Sequence, residues 1–169
     1  MIMNEGAEQI ESGKTVYFAS NRPGGFGDND LYESHLLGGD VLDGLWSDPV
    51  NLGPNVNSRC NDHMAMPSKD MKTLYISSAR PGGIGGSEAV CGDEDIWVTR
   101  KDRDGNWRPL ENLGPLVNSP YEDRCNYFTV DHRVMLFDSM RPGGQGFRDL
   151  WWVYTKNVDD VVDQLFAEP

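Results

Sequence analysis

The sequence is poor in basic residues: 15 Lys and Arg stand against 27 Asp and Glu, which gives a formal net charge of -12 at pH 7. Such a charge repels the phosphates of nucleic acids and the anionic surface of a membrane. The chain also lacks an apolar run of about 18 residues, the length needed for a membrane-spanning helix. We therefore expect no nucleic-acid or membrane partner and favour neutral or cationic partners.

Cysteine is scarce as well. Cys60, Cys91 and Cys125 are odd in number and lack Cys-x-x-Cys spacing, so the sequence indicates neither a disulfide framework nor a zinc site, and we expect free thiols. The first residues lack the basic and apolar segments of an export signal. The chain as written is expected to be cytoplasmic, and periplasmic or secreted if an export signal was removed.

Turn-forming residues are abundant. The chain has 169 residues, 38% of them hydrophobic, with 19 Gly and 10 Pro. This length is typical of one domain with a sizeable core, and the Gly and Pro content indicates many turns rather than long helices. We expect a single all-β domain over residues 1–169.

The phrase Ser-x-Arg-Pro-Gly-Gly occurs three times, starting at Ser20, Ser78 and Ser139. A second phrase, Asn-Leu-Gly-Pro-x-Val-Asn-Ser, starts at Asn51 and again at Asn112 in the same register. Self-similarity of this kind indicates a repeat architecture. We place the units at roughly residues 13–70, 71–131 and 132–157, followed by a tail at 158–169.

Each unit reads as four short strands. The segments KTVYFAS, KTLYISS and RVMLFDS precede the Arg-Pro-Gly-Gly turn, and DLYESHLL, DIWVTRK and DLWWVYTK follow it. Weaker strands begin at Trp46 and Trp107, and HMAMPS and CNYFTVD lead into the next unit. Pro followed by Gly predicts a type II turn in which the Gly has positive φ.

Repeated four-stranded antiparallel units are typical of β-propeller blades. The segments GKTVYFASNRPGGFGDNDLY, LWSDPVNLGPNVNS and MKTLYISSARPGG resemble the TolB-type, WD-repeat-like propeller repeats over roughly residues 13–156. The resemblance implies an all-β propeller of about three four-stranded blades with a short C-terminal helix. It is unspecific for function.

Three blades do not close a ring, because closed propellers have about four to eight. Either the chain is a fragment, or a homodimer completes six blades. We expect its contacts to join the first unit, around Tyr17 and Leu31, to the third unit of the other copy, around Leu136 and Trp151. Apolar residues at helical spacing in the tail predict a short helix, in position to cover the open edge of the last blade.

The predicted strand order brings the Arg-Pro-Gly-Gly loops and the Asn-Leu-Gly-Pro loops to one end of the domain, where rigid scaffolds commonly carry function. The candidate ligand-binding residues lie in or beside these loops: Arg22, Asp30, Asn57, Asp62, His63, Arg80, Asp95, Asn118, Asp123, Arg141 and Asp149. A structural role competes with this interpretation. A repeated Arg and the repeated Asp of the same hairpin are expected to form a clamp, and the remaining Asp and Asn residues are expected to cap turns.

Residues that break the repeat are more informative about function. His63 aligns with Arg124, Cys60 aligns with Tyr121, and the second unit carries an insertion. The acidic residues of the insertion and its cysteine are Glu88, Cys91, Asp93 and Glu94. His63 beside an Asp is a candidate for metal binding or acid–base chemistry, although a His in such a place is usually only hydrogen-bonded.

Hard oxygen ligands make calcium the expected ion if any cofactor is present. The candidate site lies near Asp28, Asp30, Asp93 and Asp95, and a solvated acidic rim is the alternative.

Two functions remain open. The favoured one is a non-catalytic module that binds a peptide, glycan or protein partner through the loop-bearing end. The alternative is a glycoside-processing hydrolase with two carboxylates converging on the propeller axis, about 5 to 9.5 Å apart. Gly-x-Ser-x-Gly, His-Glu-x-x-His and phosphate-loop motifs do not occur, so peptidase, lipase and nucleotide chemistry lack support.

Overall fold

The computed structural model describes residues 6–11, 14–87 and 89–167, and side chains from residue 14 onward. The described chain forms three antiparallel sheets and one α-helix, so the prediction of an all-β fold with a short C-terminal helix is confirmed.

Sheet 1 contains β1 to β5, sheet 2 contains β6 to β9, and sheet 3 contains β10 to β12. Within each sheet the strands follow chain order, and β5 pairs with β3 beside β4. The strands are β1 (Gly6–Glu11), β2 (Thr15–Ser20), β3 (Asp30–Gly38), β4 (Leu45–Trp46), β5 (Val50–Asn51), β6 (Asp62–Pro67), β7 (Thr73–Ser78), β8 (Asp95–Arg100), β9 (Glu111–Asn112), β10 (Asp123–Phe128), β11 (Val134–Ser139) and β12 (Asp149–Tyr154). A 3₁₀ turn spans Gly114–Leu116 and the helix α1 spans Thr155–Leu165.

The first strand of every sheet carries a register shift against the second. In β6 the shift lies between His63 and Met66, and in β10 it lies between Arg124 and Tyr127. Met64 and Cys125 occupy equivalent places in these bulges, with φ of 52° and 54°. A bulge re-aims the side chains beside it, which is why bulges often occur next to functional sites.

The Arg-Pro-Gly-Gly turns have the predicted backbone. Gly24, Gly82 and Gly143, which follow the Pro, have φ of 94°, 91° and 107°. The next Gly is required for a different reason, since a Cβ on Gly83 would lie 2.9 Å from a carboxylate oxygen of Asp95. The two glycines therefore serve the backbone conformation and the close approach of the Asp, respectively.

Replacing Gly82 with Ala is expected to lower the free energy of unfolding by about 1–2 kcal/mol, because an L-residue is disfavoured at positive φ. Gly92 is the control, since its φ is not in the left-handed region and a Cβ there has no atom within 4 Å. Urea unfolding of both Ala variants provides the measurement. A Gly82→Ala variant as stable as Gly92→Ala would contradict the turn assignment.

Two apolar clusters lie between the sheets. One packs sheet 1 against sheet 2 and includes Tyr17, Leu31 and Trp107. The other packs sheet 2 against sheet 3 and includes Tyr75, with Trp151 against it. Three residues named for the homodimer contacts are therefore inside the chain, because strand alternation turns Tyr17 and Leu31 toward sheet 2 and packs Trp151 on the second cluster. That part of the prediction is wrong.

The opposite face of sheet 3 is open. Leu136 pairs with Trp152 across β11 and β12, and the rings of Trp152 and Tyr154 meet edge to face at 5.1 Å between centroids. Trp152 is 55% exposed and Leu150 is 67% exposed. We call this surface, made of Tyr127, Leu136, Leu150, Trp152 and Tyr154, the open face of sheet 3.

Helix α1 does not pair with the edge of sheet 3. Its apolar residues Val158 and Val162, with Phe166 just beyond it, are buried in the cluster between sheets 2 and 3. Arg108 donates to the Phe166 carbonyl at 3.3 Å, and Arg100 forms an ion pair with Asp163 at 2.8 Å. The helix therefore folds back toward sheet 2, because that position buries its apolar stripe.

Candidate functional site

Five loops meet at one end of the domain: residues 21–29, 52–61, 79–94, 113–122 and 140–148. We call this end the loop face. Contacts between loops of both kinds confirm that they lie together, since the Arg59 side chain donates to the Ala89 carbonyl and Asn29 bonds Asn61 at 2.8 Å. The sequence prediction of a shared face is thus confirmed at the level of loop position.

Each Arg-Pro-Gly-Gly loop is held by the Asp that begins the following strand. The Phe26 N–H donates to Asp30 at 2.7 Å, and the Ile84 N–H donates to Asp95 at 2.7 Å. Asp149 accepts from the corresponding loop of sheet 3 in the same way. Burial raises the pKa of Asp95, even though these donors act in the opposite direction.

The Asn-Leu-Gly-Pro loops are held by paired amides. Asn112 donates to Asp95 at 2.7 Å and accepts from Asn118 at 2.9 Å. Asn118 also bonds both the N–H and the carbonyl of Ile96, at 2.9 and 2.8 Å. The same bonds recur around Asn57 in sheet 1. These side chains replace ladder hydrogen bonds and fix the loops to the sheets.

The predicted clamp exists, but with another partner. Arg80 pairs with Asp62 at 2.9 Å and Arg141 pairs with Asp123 at 2.6 Å, so each Arg bonds the Asp that begins the first strand of its own sheet. The Asp of its own hairpin, such as Asp95, binds backbone N–H groups instead. The expected Arg–Asp pairing within one hairpin is therefore wrong for these two arginines. The clamp closes the loop-face end of the β6–β7 and β10–β11 strand pairs. The same Arg side chains also donate to the Val56 and Val117 carbonyls, which ties the incoming long loop to the sheet.

Burial separates the eleven candidate residues into two groups. Six are almost fully buried within the networks just described: Asp30, Asn57, Asp62, Asp95, Asn118 and Asp123. Five are half-buried: Arg22, His63, Arg80, Arg141 and Asp149. Arg22 lies over the rings of Phe18 and Tyr32, at 5.1 and 4.7 Å from their centroids. Only the second group offers surface to a ligand.

The insertion is tied to its neighbouring loop by a disulfide. Cys60 and Cys91 are bonded, with Cα atoms 5.7 Å apart, so the expectation of free thiols is wrong for these two. Both cysteines break the repeat, and that shared exception is the signal that sequence reasoning missed. This covalent bond adds to the hydrogen bonds that already join the two loops, such as that from Arg59 to the Ala89 carbonyl, and makes this part of the loop face rigid.

Replacing both cysteines with Ser is expected to lower the free energy of unfolding by about 2–4 kcal/mol, because the bond restricts the unfolded chain. The matched control is Cys125→Ser, since Cys125 is a free thiol. Urea unfolding of the oxidised proteins provides the measurement. The expectation fails if the double variant matches the wild-type protein, or if thiol titration finds three free cysteines.

A cluster of charged side chains lies beside the bulged strands β6 and β10. His63 Nε2 is 2.9 Å from Glu94 Oε2, and Asn61 donates to the other oxygen of Glu94 at 2.8 Å. Arg124, which aligns with His63 in the repeat, reaches the same carboxylate at 3.7 Å. The two repeat-breaking residues thus converge on Glu94. We call His63, Glu94, Glu122, Arg124, Asp138 and Arg148 the central charge cluster.

The rest of the cluster is paired as well. Arg124 lies 3.3 Å from Glu122 and 3.6 Å from Asp138, and Arg148 lies 2.6 Å from Glu122. Burial, followed by the charge of Asp138, raises the pKa of the adjacent Cys125 thiol to about 12. A thiol in this state stays protonated at neutral pH and is a poor nucleophile.

Glu94 has a carboxyl pKa below its usual value. Burial raises the pKa of this carboxyl, but hydrogen bonding and the charge of His63, together with Asn61 and Arg124, outweigh that effect. Glu94 is consequently an ionised carboxylate at neutral pH. It is suited to holding a cation or a hydrogen-bond donor and poorly suited to donating a proton.

The exposed part of the loop face is apolar at its tips. Phe26 is 49% exposed, Tyr121 45%, Phe147 78% and Val90 56%. Sequence reasoning missed these residues because they do not recur in register. An aromatic side chain inside a glycine-rich loop was the available signal, since such a loop has no core in which to bury it.

The four carboxylates proposed for calcium include two buried and two exposed residues. Asp30 and Asp95 use their oxygens in loop hydrogen bonds, whereas Asp28 and Asp93 are exposed. Among the described residues, no group of three or more His, Cys, Asp or Glu side chains is placed to hold a metal ion.

Comparison with protein-family models and with curated proteins gives no match for this chain. Within the described ranges, no helix has both the length and the apolar character needed to cross a bilayer.

Proposed function

We propose that the chain is a non-catalytic interaction module whose loop face binds a peptide, glycan or protein partner. The observation that carries this proposal is the exposed apolar side chains at the tips of rigidly held loops. Aromatic side chains supply much of the energy of binding when they enter a partner's pocket, and rigid loops lose little conformational entropy on binding.

The tips do not lie on free segments. Phe26 lies within the loop that Asp30 holds, and the Val90 loop is held by the neighbouring disulfide at Cys91. Phe147 lies between Gly146 and Asp149, which bond each other. The net charge of -12 favours a neutral or cationic partner.

We further propose that the three sheets are propeller blades of the TolB-type, WD-repeat-like kind. In support, the sheets pack face to face through the two apolar clusters, and equivalent backbone bonds join them. The Asp62 N–H donates to the Asn29 carbonyl, and the Asp123 N–H donates to the Glu94 carbonyl. Arg148 occupies the same repeat position in sheet 3, so its carbonyl is where a further sheet would join.

A second copy is the proposed source of that sheet. The open face of sheet 3 occupies the same repeat positions as the face of sheet 2 that sheet 3 covers. A homodimer would place sheet 1 of one copy on this face of the other and complete about six blades. The disulfide supports an oxidising compartment, so we favour the periplasmic or secreted location over the cytoplasm.

The hydrolase alternative has one observation in its favour, because Glu94, Glu122 and Asp138 converge on Arg124. It ranks second because a glycosidase needs a carboxylic acid with a raised pKa to protonate the leaving group. Glu94 has a lowered pKa, and Arg124 and Arg148 compensate the other two acids.

The proposal is tested with a glycan and peptide array probed with the wild-type protein and with the triple variant Phe26→Ala, Tyr121→Ala, Phe147→Ala. We expect wild-type binding to a defined set of probes and a loss of about tenfold or more in the variant. The control replaces Leu37, Leu42 and Val130, which are exposed and lie away from the loop face, with Ala. Equal binding by wild-type and triple variant would contradict the proposal, and so would release of sugar from a glycan probe.

A further inference from the structure

A groove lies at the end of the domain opposite the loop face. It runs between helix α1 and the ends of strands β7, β8 and β10, and its volume is about 390 Å³. This volume is within the usual range for small-molecule sites. The groove is distinct from the loop face and from the central charge cluster.

Tyr75 contributes a hydroxyl to this groove. The residue is only 2% exposed and lines the groove. Asp159 acts on this hydroxyl more strongly than any other charged group, followed by Arg100. Tyr75 and Asp159 line the same groove.

Most charges in the groove are already compensated within the protein. Arg100 pairs with Asp163 at 2.8 Å. Asp70 accepts from Ser68 at 2.6 Å and from the Lys72 N–H at 3.1 Å, so it serves its own turn. Asp159 is the groove carboxylate with no such partner among the described residues.

A second hydroxyl lies beside this carboxylate. Thr155 Oγ1 is buried, lines the same groove and has no hydrogen-bond partner among the described residues, which is costly unless water or a ligand bonds it. One wall of the groove is aromatic, because Phe128 and His132 stack at 5.5 Å between ring centroids. The groove thus combines one carboxylate, two hydroxyl oxygens and a stacked aromatic pair.

We propose that this groove binds a small primary alkylammonium ion. An ammonium group has three N–H donors and one positive charge, which match the Asp159 carboxylate and the oxygens of Tyr75 and Thr155. Its alkyl chain would lie along the apolar ring faces of Phe128 and His132. Arg100 is already paired with Asp163, but Lys69 also lines the groove, and the test therefore includes an anion.

The probe is n-butylammonium, titrated into the full chain by isothermal calorimetry at low salt, with n-butyrate as the anionic counterpart. We expect the ammonium to bind and the butyrate not to bind. Asp159→Asn should weaken n-butylammonium binding about tenfold or more, because it removes the charge-assisted bond. Asp160→Asn is the matched control, since Asp160 makes the same charge change on the same helix but does not line the groove.

Tyr75→Phe tests the site independently of charge. It removes the hydroxyl and retains the ring, which packs edge to face on Phe128 at 5.1 Å. We expect weakening of about threefold or more. Absence of n-butylammonium binding to the wild-type protein would overturn the proposal. Equal affinity in the Asp159→Asn and Asp160→Asn variants, or butyrate binding as strong as that of the ammonium, would overturn it as well.

Discussion

Replacing Asp123 with Ala is expected to lower the free energy of unfolding by about 3–5 kcal/mol. Asp123 is 0% exposed and accepts from the N–H and hydroxyl of Ser119, at 2.6 and 2.7 Å, and from Arg141 at 2.6 Å. Its loss leaves a half-buried guanidinium without its carboxylate and frees the loop at Ser119. The large cost comes from the unpaired partners, not from the pair alone.

The control is Asp160→Ala, because Asp160 is exposed on helix α1 and makes the same change in net charge. Urea unfolding of the two variants separates the local effect from the general effect of removing one acid. A difference of less than about 1 kcal/mol between them would be typical of a surface pair and would contradict the clamp.

Strand positions and turns could be predicted from the sequence because the repeat presents the same local chemistry several times. Pro followed by Gly predicts a type II turn, and this turn requires the positive φ that is found at Gly82. Local propensity and repetition agreed, and the strands formed where both indicated them.

Pairings across space were harder to predict. Two acids at repeated positions lie in the same sheet as Arg80, and Arg80 bonds Asp62 because Asp95 already accepts from the Ile84 N–H and from Asn112. Cys60 and Cys91 each looked isolated, since their bond joins two loops far apart in sequence. The spacing of residues along the chain does not reveal which side chains lie close together in the folded protein.

Some residues were also assigned to the wrong face of their strand. Residues of a strand alternate between its two faces, so an error of one position exchanges core and surface. Tyr17 and Leu31 were assigned to an end face and lie in the core, whereas Phe18 is only partly buried. The loop-tip residues of the candidate site were missed because they vary from unit to unit.

Trp46 and Trp107, which occupy equivalent positions in the repeat, provide a second large effect with an internal control. Trp107 is 9% exposed and packs edge to face on Tyr17 of the preceding sheet, at 6.4 Å between centroids. We expect Trp107→Ala to lower the free energy of unfolding by about 3–5 kcal/mol at any protein concentration. An unchanged urea midpoint would show that sheets 1 and 2 do not pack in this way.

Trp46 occupies the same repeat position in sheet 1 but is only partly buried, because no described sheet precedes sheet 1. In the proposed homodimer, sheet 3 of the second copy would take that place. Tyr17 corresponds to Leu136 in the third unit, so Trp46 would pack beside Leu136 on the open face of the other copy. Trp46→Ala is then expected to weaken association and to lower the melting temperature most at high dilution.

Light scattering across a dilution series, combined with thermal unfolding at each concentration, provides the measurement. We expect the wild-type protein to populate a species of twice 18.9 kDa at high concentration. Trp152→Glu should shift it to the single-chain mass, because a charge on the open face must be desolvated in the interface. Leu42→Glu is the control, since Leu42 is 96% exposed and lies off that face. A wild-type species of 18.9 kDa at every concentration would contradict the six-blade homodimer. In that case Trp46→Ala would lower the free energy of unfolding no more than truncation of any partly buried side chain does.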